Sequence, residues 1–358
     1  MYCNCRVSLF LTIAAVLSFV TVSDGLAGGQ NTPPAGIEVL DVPLVAWVGS
    51  RDHAPPNSLA DFIEPPDRLA QFRSFAEALS TSDWNSAAAF AKQLNYQLAA
   101  IYDDEQWFVV ASDDSKSGRG PVVIVNTAPR MDVIFEAPHV PFEPGTGEEA
   151  LVLMRALKGR AVLVAGAHRC ASRTFATCSG KTAVCGQRED YRNSDVGHNP
   201  ETLFNAAHVA FANAWPKSVV VSLHGMMEDN DGAKTRIIIS NGIHGEDQGQ
   251  ATPATRLRLA LDGRFGDPGS VADCNYPADE AFDYRKLCGF TNVQGREVNG
   301  SADTCRQSVD SGTGRFIHIE QDWSVLMPYA RRWVHIFDDP EAAALRDALA
   351  GVLPPSSQ

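Results

Sequence analysis

Between residues 131 and 222 the chain alternates three short apolar runs with two stretches of helical period. The runs are Met131–Phe135, Ala161–Ala165 and Ser218–Ser222, and the helical stretches are Glu148–Leu157 and Glu201–Ala214. Brief Val- and Ile-rich runs without polar alternation read as strands buried on both faces. Strand–helix–strand alternation then implies parallel pairing, because each crossover helix has to pack back over one face of the sheet. The expected fold is α/β, a three-layer α/β/α sandwich with a mainly parallel mixed sheet. Further strands are expected at Trp107–Ala111, Pro121–Val125, Arg236–Ser240 and Arg315–Glu320. Further helices are expected at Leu69–Leu79, Trp84–Leu98, Ala254–Leu261 and Pro340–Leu349.

In such sheets ligands bind beyond the carboxyl ends of the strands. Each run in this alternating region ends at a histidine. The run at 131–135 leads to His139, that at 161–165 to His168, and that at 218–222 to His224. Alone, each would read as a hydrogen-bonded structural histidine; together at one sheet edge they suggest a metal or catalytic site. Glu143 follows His139 by four residues in a Pro- and Gly-rich loop that can fold back. His139, Glu143 and His224 make the two-His, one-carboxylate set of a catalytic Zn2+ site, with a fourth position open. Glu143 could instead be a helix-start charge, a role that suits Glu148 and Glu149 better. In the strand at 315–320, His318 and Glu320 share a face with Phe316, while Ile317 and Ile319 face the other way. A carboxylate in an apolar strand is costly to bury unless paired or working. Glu320 is therefore the candidate general base, or else the partner of an arginine.

These motifs resemble a known group. Pro-His-x-x-x-Glu-Pro-Gly-Thr-Gly-Glu at 138–148 and Ser-Leu-His-Gly at 222–225 resemble the metal motifs of the poly-gamma-glutamate hydrolases. Ile-His-Ile-Glu at 317–320 is similar to the late strand that carries the catalytic glutamate in zinc carboxypeptidases. N-formylglutamate amidohydrolases share the same broad fold. The His-to-Glu spacing falls between those of the first two groups. The resemblance implies zinc on His139, Glu143 and His224, Glu320 as base, and an arginine that anchors a substrate carboxylate. Arg296 fits that last role, with Asn292 and Asn299 as donors beside it, unless the segment 291–300 is simply a polar turn. His318 and His168 are candidates to hold substrate or oxyanion. The polar segment 191–199 offers Arg192, Asp195 and His198 to the cleft, while Asn199 reads as the N-cap of the following helix. His208 inside that helix reads as structural.

The implied activity is hydrolysis of amide or peptide bonds in a small peptide or acyl amino acid with a free carboxylate. A metal-dependent esterase is a rival; a serine triad is disfavoured because no Gly-x-Ser-x-Gly elbow is present. A secreted binding protein on the same fold is the rival outside enzymes. The 30 basic and 43 acidic residues, net −13, argue against a nucleic-acid partner, which needs clustered Lys and Arg, and against an anionic membrane surface.

Residues 1–27, with one basic residue and an apolar run from Val7, read as a signal peptide for a secreted or periplasmic protein, with a retained anchor as the alternative. Residues 28–37 read as a flexible leader, 38–353 as a single catalytic α/β domain, and 354–358 as a frayed tail. Cys170, Cys178, Cys185, Cys274, Cys288 and Cys305 remain after cleavage. An even number in an exported chain suggests disulfides, and six cysteines allow 15 pairings. A zinc knuckle is the rival, but it lacks a Cys-x-x-Cys pair.

Overall fold

The buried apolar runs pair into one ten-stranded sheet with helices on both faces. The computed structural model describes residues 32–356 except 116, 228–234, 246–250, 267–268, 276–286, 333–334 and the side chain of 332. The expected signal peptide and the first residues of the expected leader lie outside the described residues.

In chain order the strands are β1 (Glu38–Leu40), β2 (Tyr96–Asp103), β3 (Gln106–Asp113), β4 (Val122–Asn126), β5 (Val133–Ala137) and β6 (Ala161–Val164). The two-residue strands β7 (Lys181–Thr182) and β8 (Glu189–Asp190) follow, then β9 (Val219–Met226), β10 (Ile237–Ser240), β11 (Val271–Asp273) and β12 (Phe316–Asp322). The described helices are α1 (Leu44–Gly49), α2 (Pro66–Ser80), α3 (Trp84–Leu94), α4 (Thr146–Leu157), α5 (Leu203–Ala214), α6 (Pro253–Leu261), α7 (Val293–Val298), α8 (Trp323–Arg332) and α9 (Pro340–Val352). The large sheet has the order β1-β2-β3-β4-β6-β5-β9-β12-β10-β11. β6, β5, β9 and β12 form its parallel centre. Antiparallel pairs β2–β3, β3–β4 and β4–β6 make one wing, and β12–β10 opens the other. The expected sandwich with a mainly parallel mixed sheet is what the chain forms.

Alternate residues of the central strands feed two cores. Val133, Phe135, Val219, Val221, Ile317 and Ile319 pack with α1, α4, α6, α8 and α9. Ile134, Val220 and Phe316 pack with α2, α3 and α5 on the other face. Phe316 and the pair Ile317 and Ile319 therefore lie on opposite faces, as the strand period requires. Each fully buried side chain of this kind stabilises the fold by roughly 1.5–3 kcal/mol.

The centre holds a switch point. From β5 the chain crosses through α4 to β6 on one side, then returns through α5 to β9 on the other side of β5. The two crossovers leave a crevice beyond the carboxyl ends of β5 and β9, the place where open α/β sheets bind ligands.

Several local expectations are corrected. The expected helix Trp84–Leu98 ends at Leu94, because Asn95 turns left-handed at φ 59°, and Tyr96–Asp103 becomes β2. Asn199 does not cap α5. Thr202 does so through its side chain, while Asn199 accepts from Glu201 N and donates to Asn193 O. The tail is not frayed as far as Ser356: Asp132 N donates to Pro354 O and Ser356 N to Arg130 O. At the leader's end Ile37 is buried and donates its N–H to Pro34 O. The disulfides are Cys170–Cys185, Cys178–Cys305 and Cys274–Cys288, the second joining the two cysteine clusters. They fit an oxidising compartment. Among the described residues no helix is long and apolar enough to cross a membrane.

Candidate metal centre

His139 lies two residues past β5, and the chain then folds back in a single turn. Glu143 N donates to His139 O at 3.0 Å, so the four-residue spacing brings both side chains to one side. His139 Nδ1 lies 2.8 Å from Glu143 Oε1. His224, near the end of β9, puts its Nδ1 3.1 Å from His139 Nδ1 and 3.3 Å from Glu143 Oε2. The three side chains are buried, and their ligand atoms converge on one point that could hold a metal ion.

The outer ring nitrogens are held from behind. His139 Nε2–H donates to Asp195 Oδ1 at 3.0 Å, and His224 Nε2 is hydrogen-bonded to Ser222 Oγ at 2.9 Å. Such partners fix the tautomer and ring orientation of a histidine ligand. With Nε2–H donated to Asp195, neutral His139 turns its Nδ1 lone pair toward Glu143 Oε1, His224 Nδ1 and Arg169 Nη1.

Glu320 stands beside His224, its register partner on the neighbouring strand. His318, partner of Ser222, stacks its ring on His224 at 4.3 Å and sets Nε2 3.8 Å from Glu320 Oε1. The Cys274–Cys288 bridge leads into Gly289, whose backbone lies against the His318 ring; an added Cβ would come 2.8 Å from its Cδ2. Gly197 similarly lets its loop reach His139, since a Cβ there would lie 2.8 Å from Nε2.

Charge in the cluster is balanced locally. Burial raises the Asp195 carboxyl, but Arg169, His198 and His139 hold it well below the carboxylate range. Burial likewise raises Glu143, and His139 and His224 bring it well below that range. Burial and Arg169 push His139 down, yet the carboxylates of Glu143 and Asp195 leave it raised. The lone pair that would take this proton is also the one a cation would take. Burial lowers His224 to about 4, and burial and His224 push His318 well down. Burial and the Glu143 charge raise Glu320 well above its ordinary value.

Not every expected residue reaches this centre. Asp195 does, as the hub that receives His139, His198 Nδ1 at 2.9 Å, and Arg169 Nε and Nη2 at 3.0 and 2.7 Å. His198 reaches it only behind Asp195, sandwiched between the rings of Tyr191 and His139 at 3.9 and 5.9 Å. His168 is half-buried beside Phe142, its Nδ1 accepts from Cys170 N at 3.0 Å, and among the described residues it joins none of the groups that could hold a metal. Arg296 is not a carboxylate anchor. Its three nitrogens donate to Phe290 O, Thr304 O and Ser308 Oγ at 2.7, 3.0 and 3.1 Å. Arg192 gives Nε to Glu189 and Nη1 to both Asn57 Oδ1 and Ser172 O. Asn292 caps α7 by accepting from Gly295 N, and Asn299 closes it, donating to Asn241 O and accepting from Thr313 N. The segment 291–300 is thus a polar clamp for its own loop. His208 pairs with Glu136 inside the core at 2.7 Å, a structural role as expected.

Sequence reasoning missed Arg169, one residue past His168. Its Nη1 lies 3.3 Å from His139 Nδ1 and 3.4 Å from Glu143 Oε1. The strand-end rule pointed at this loop, but histidine drew the choice of residue. Ser222 was also missed, although its place two residues before His224 puts both on one face.

No family model matches the chain, and no curated protein matches it.

Proposed function

We propose that this chain is an exported zinc-dependent hydrolase of amide or peptide bonds. The apolar N-terminal run and three disulfides support export. The resemblance to poly-gamma-glutamate hydrolases and zinc carboxypeptidases supports the chemistry. The observation that carries the reading is the convergence of His139, Glu143 and His224 beside a carboxylate, Glu320, in register with His224.

The donor set fits zinc. Ligands about 2.0–2.1 Å from a tetrahedral ion stand roughly 3.3–3.4 Å from one another. Here His139 Nδ1 lies 2.8 Å from Glu143 Oε1 and 3.1 Å from His224 Nδ1, which lies 3.3 Å from Glu143 Oε2, so the ligand atoms would spread by a few tenths of an ångström to seat the ion. Zinc, when bound, supplies Lewis acidity toward a carbonyl and lowers the pKa of a water to near neutrality.

The chain supplies the rest. Glu320 takes the proton of the attacking water and returns it to the leaving amine. Burial and Glu143's charge both raise Glu320; a cation held at Glu143 would offset the second of these and so favour the ionised carboxylate that a base needs. Arg169, aligned by Asp195, presents Nη1 toward the ligand cluster and donates to the carbonyl oxygen as it gains charge. His318 keeps Glu320 and His224 in place from one side.

Metal content of the purified mature protein tests this. We expect about one zinc per chain in the wild type and none in a folded His224→Ala variant. A folded wild type that takes up no zinc would leave a binding protein on this fold as the better account.

A further inference from the structure

We propose that the substrate is recognised by an apolar group next to the scissile bond and not by a free carboxylate. This rests on the hydrolase reading above and narrows it.

The first ground is the state of the arginines. A carboxylate is held well by a planar fork with two unspent nitrogens. Arg296 has all three nitrogens on loop acceptors. Arg192 has Nε on Glu189 and Nη1 on Asn57 and the Ser172 carbonyl, which leaves Nη2 alone and no two-nitrogen fork. Arg169 gives Nε and Nη2 to Asp195, leaving a single nitrogen toward the centre, itself 3.4 Å from Glu143. One nitrogen matches a carbonyl oxygen. A substrate carboxylate would instead enter beside Glu143, Asp195 and Glu320 with no free two-nitrogen fork among the described residues near them, and like charges at that range repel.

The second ground is the apolar character of the segments leading out of the site. Met227 stands three residues past His224 and is 90% exposed. Trp323 stands three residues past Glu320 and is 45% exposed. They leave neighbouring strands, since Met226 and Asp322 are register partners. Leu287 is 47% exposed just before Gly289, the residue lying against His318. Phe142, beside Glu143, stands edge-on to His168 at 5.3 Å with the Arg169 guanidinium 5.5 Å from its ring. Isolated exposed apolar side chains are ordinary; several on segments that meet at one sheet edge favour an apolar ligand group.

The test uses zinc-loaded full-length mature protein and four blocked dipeptides, with Phe or Glu next to the scissile bond and a C-terminus either free or amidated. We expect kcat/KM for each amide to lie within tenfold of its acid, and Phe to exceed Glu by tenfold or more. Amides slower than acids by more than tenfold, or Glu equal to or better than Phe, would overturn the proposal. An Arg296→Lys variant should leave the acid-to-amide ratio unchanged; a ratio that collapses would return the anchor to Arg296 and overturn it. If none of the four is turned over, the hydrolase reading fails separately. Calorimetric affinities of the same four compounds then read the acid-to-amide and Phe-to-Glu ratios by the same limits.

Discussion

Two buried carboxyl groups meet β12 from its two faces. On one face, Glu320 stands among His224, His318, Glu143 and Arg169, within a web that reaches Asp195 and His139. On the other, Glu149 of α4 lies in the apolar core and accepts one hydrogen bond, from Gln321 Nε2 at 2.7 Å. Glu320 and Gln321 are consecutive, so the strand period alone sends one to the web and the other to the core. On the first face Glu143 and Asp195 keep their charge because histidines and Arg169 partner them, whereas Glu320 is raised by burial and by Glu143. Where no cation is near, burial instead raises Glu149 to about 8, so it is protonated at neutral pH. On the proposed function, two carboxyl groups of similar burial have different uses, one in chemistry and one in packing.

The largest expected effect separates these uses. Glu320→Gln should keep its zinc and lose turnover by about 10²–10⁴-fold, the usual contribution of a positioned base. Glu149→Gln should keep both. Steady-state kinetics beside metal analysis check this, and equal losses in the two variants would break the distinction.

The next effect belongs to Glu149 and concerns stability. In the folded chain its carboxyl holds a proton up to about 8, whereas the unfolded chain releases it near 4.5. Between these values the folded state binds more protons, so stability falls as pH rises and levels off above about 8. At about 1.4 kcal/mol per tenfold change in proton affinity, the full effect is on the order of 5 kcal/mol. Denaturant midpoints of wild type and Glu149→Gln from pH 5 to 9 should converge at the acid end, with the variant ahead at the alkaline end. Parallel curves would mean that Glu149 is ionised in the fold.

The sequence carried the outline of this contrast unevenly. Apolar runs marked the strands because burial on both faces leaves no room for polar alternation. The ends of those strands then led to His139 and His224, and the period of two placed His318 and Glu320 on one face. What was not legible depended on where loops return in space. Arg296 had suitable chemistry, but its own loop, joined through Cys305 to the distant Cys178, curls round and saturates it. Asp195 lies 56 residues from His139 and meets it only because β6 and its long loop return across β5. β2 was hidden because Trp84–Leu98 keeps an apolar rhythm through Asn95, whose left-handed turn a hydrophobic pattern does not encode.

The smallest effect sharpens the networked face itself. Asp195 has two oxygens and four donors: His139 and His198 on Oδ1, and Arg169 twice on Oδ2. In Asp195→Asn one oxygen becomes an amide that can only donate. If that amide faces Arg169, donors oppose donors and the guanidinium loses its alignment. If it faces the histidines, His139 loses the acceptor that fixes its Nε2 proton, and Nδ1 is no longer committed to the centre. Either orientation leaves a buried donor unmade, so zinc should bind about 10–100-fold more weakly, the usual loss when the partner behind a metal ligand is removed. A competitive zinc titration at constant pH reads this directly. Asp195→Glu keeps the charge but moves it one methylene outward, toward a loop that Gly197 already brings against His139. It should therefore restore only part of the affinity. Full affinity in Asp195→Asn would mean that the His139 ring is held by packing alone, and that the web around Asp195 serves the fold and not the metal.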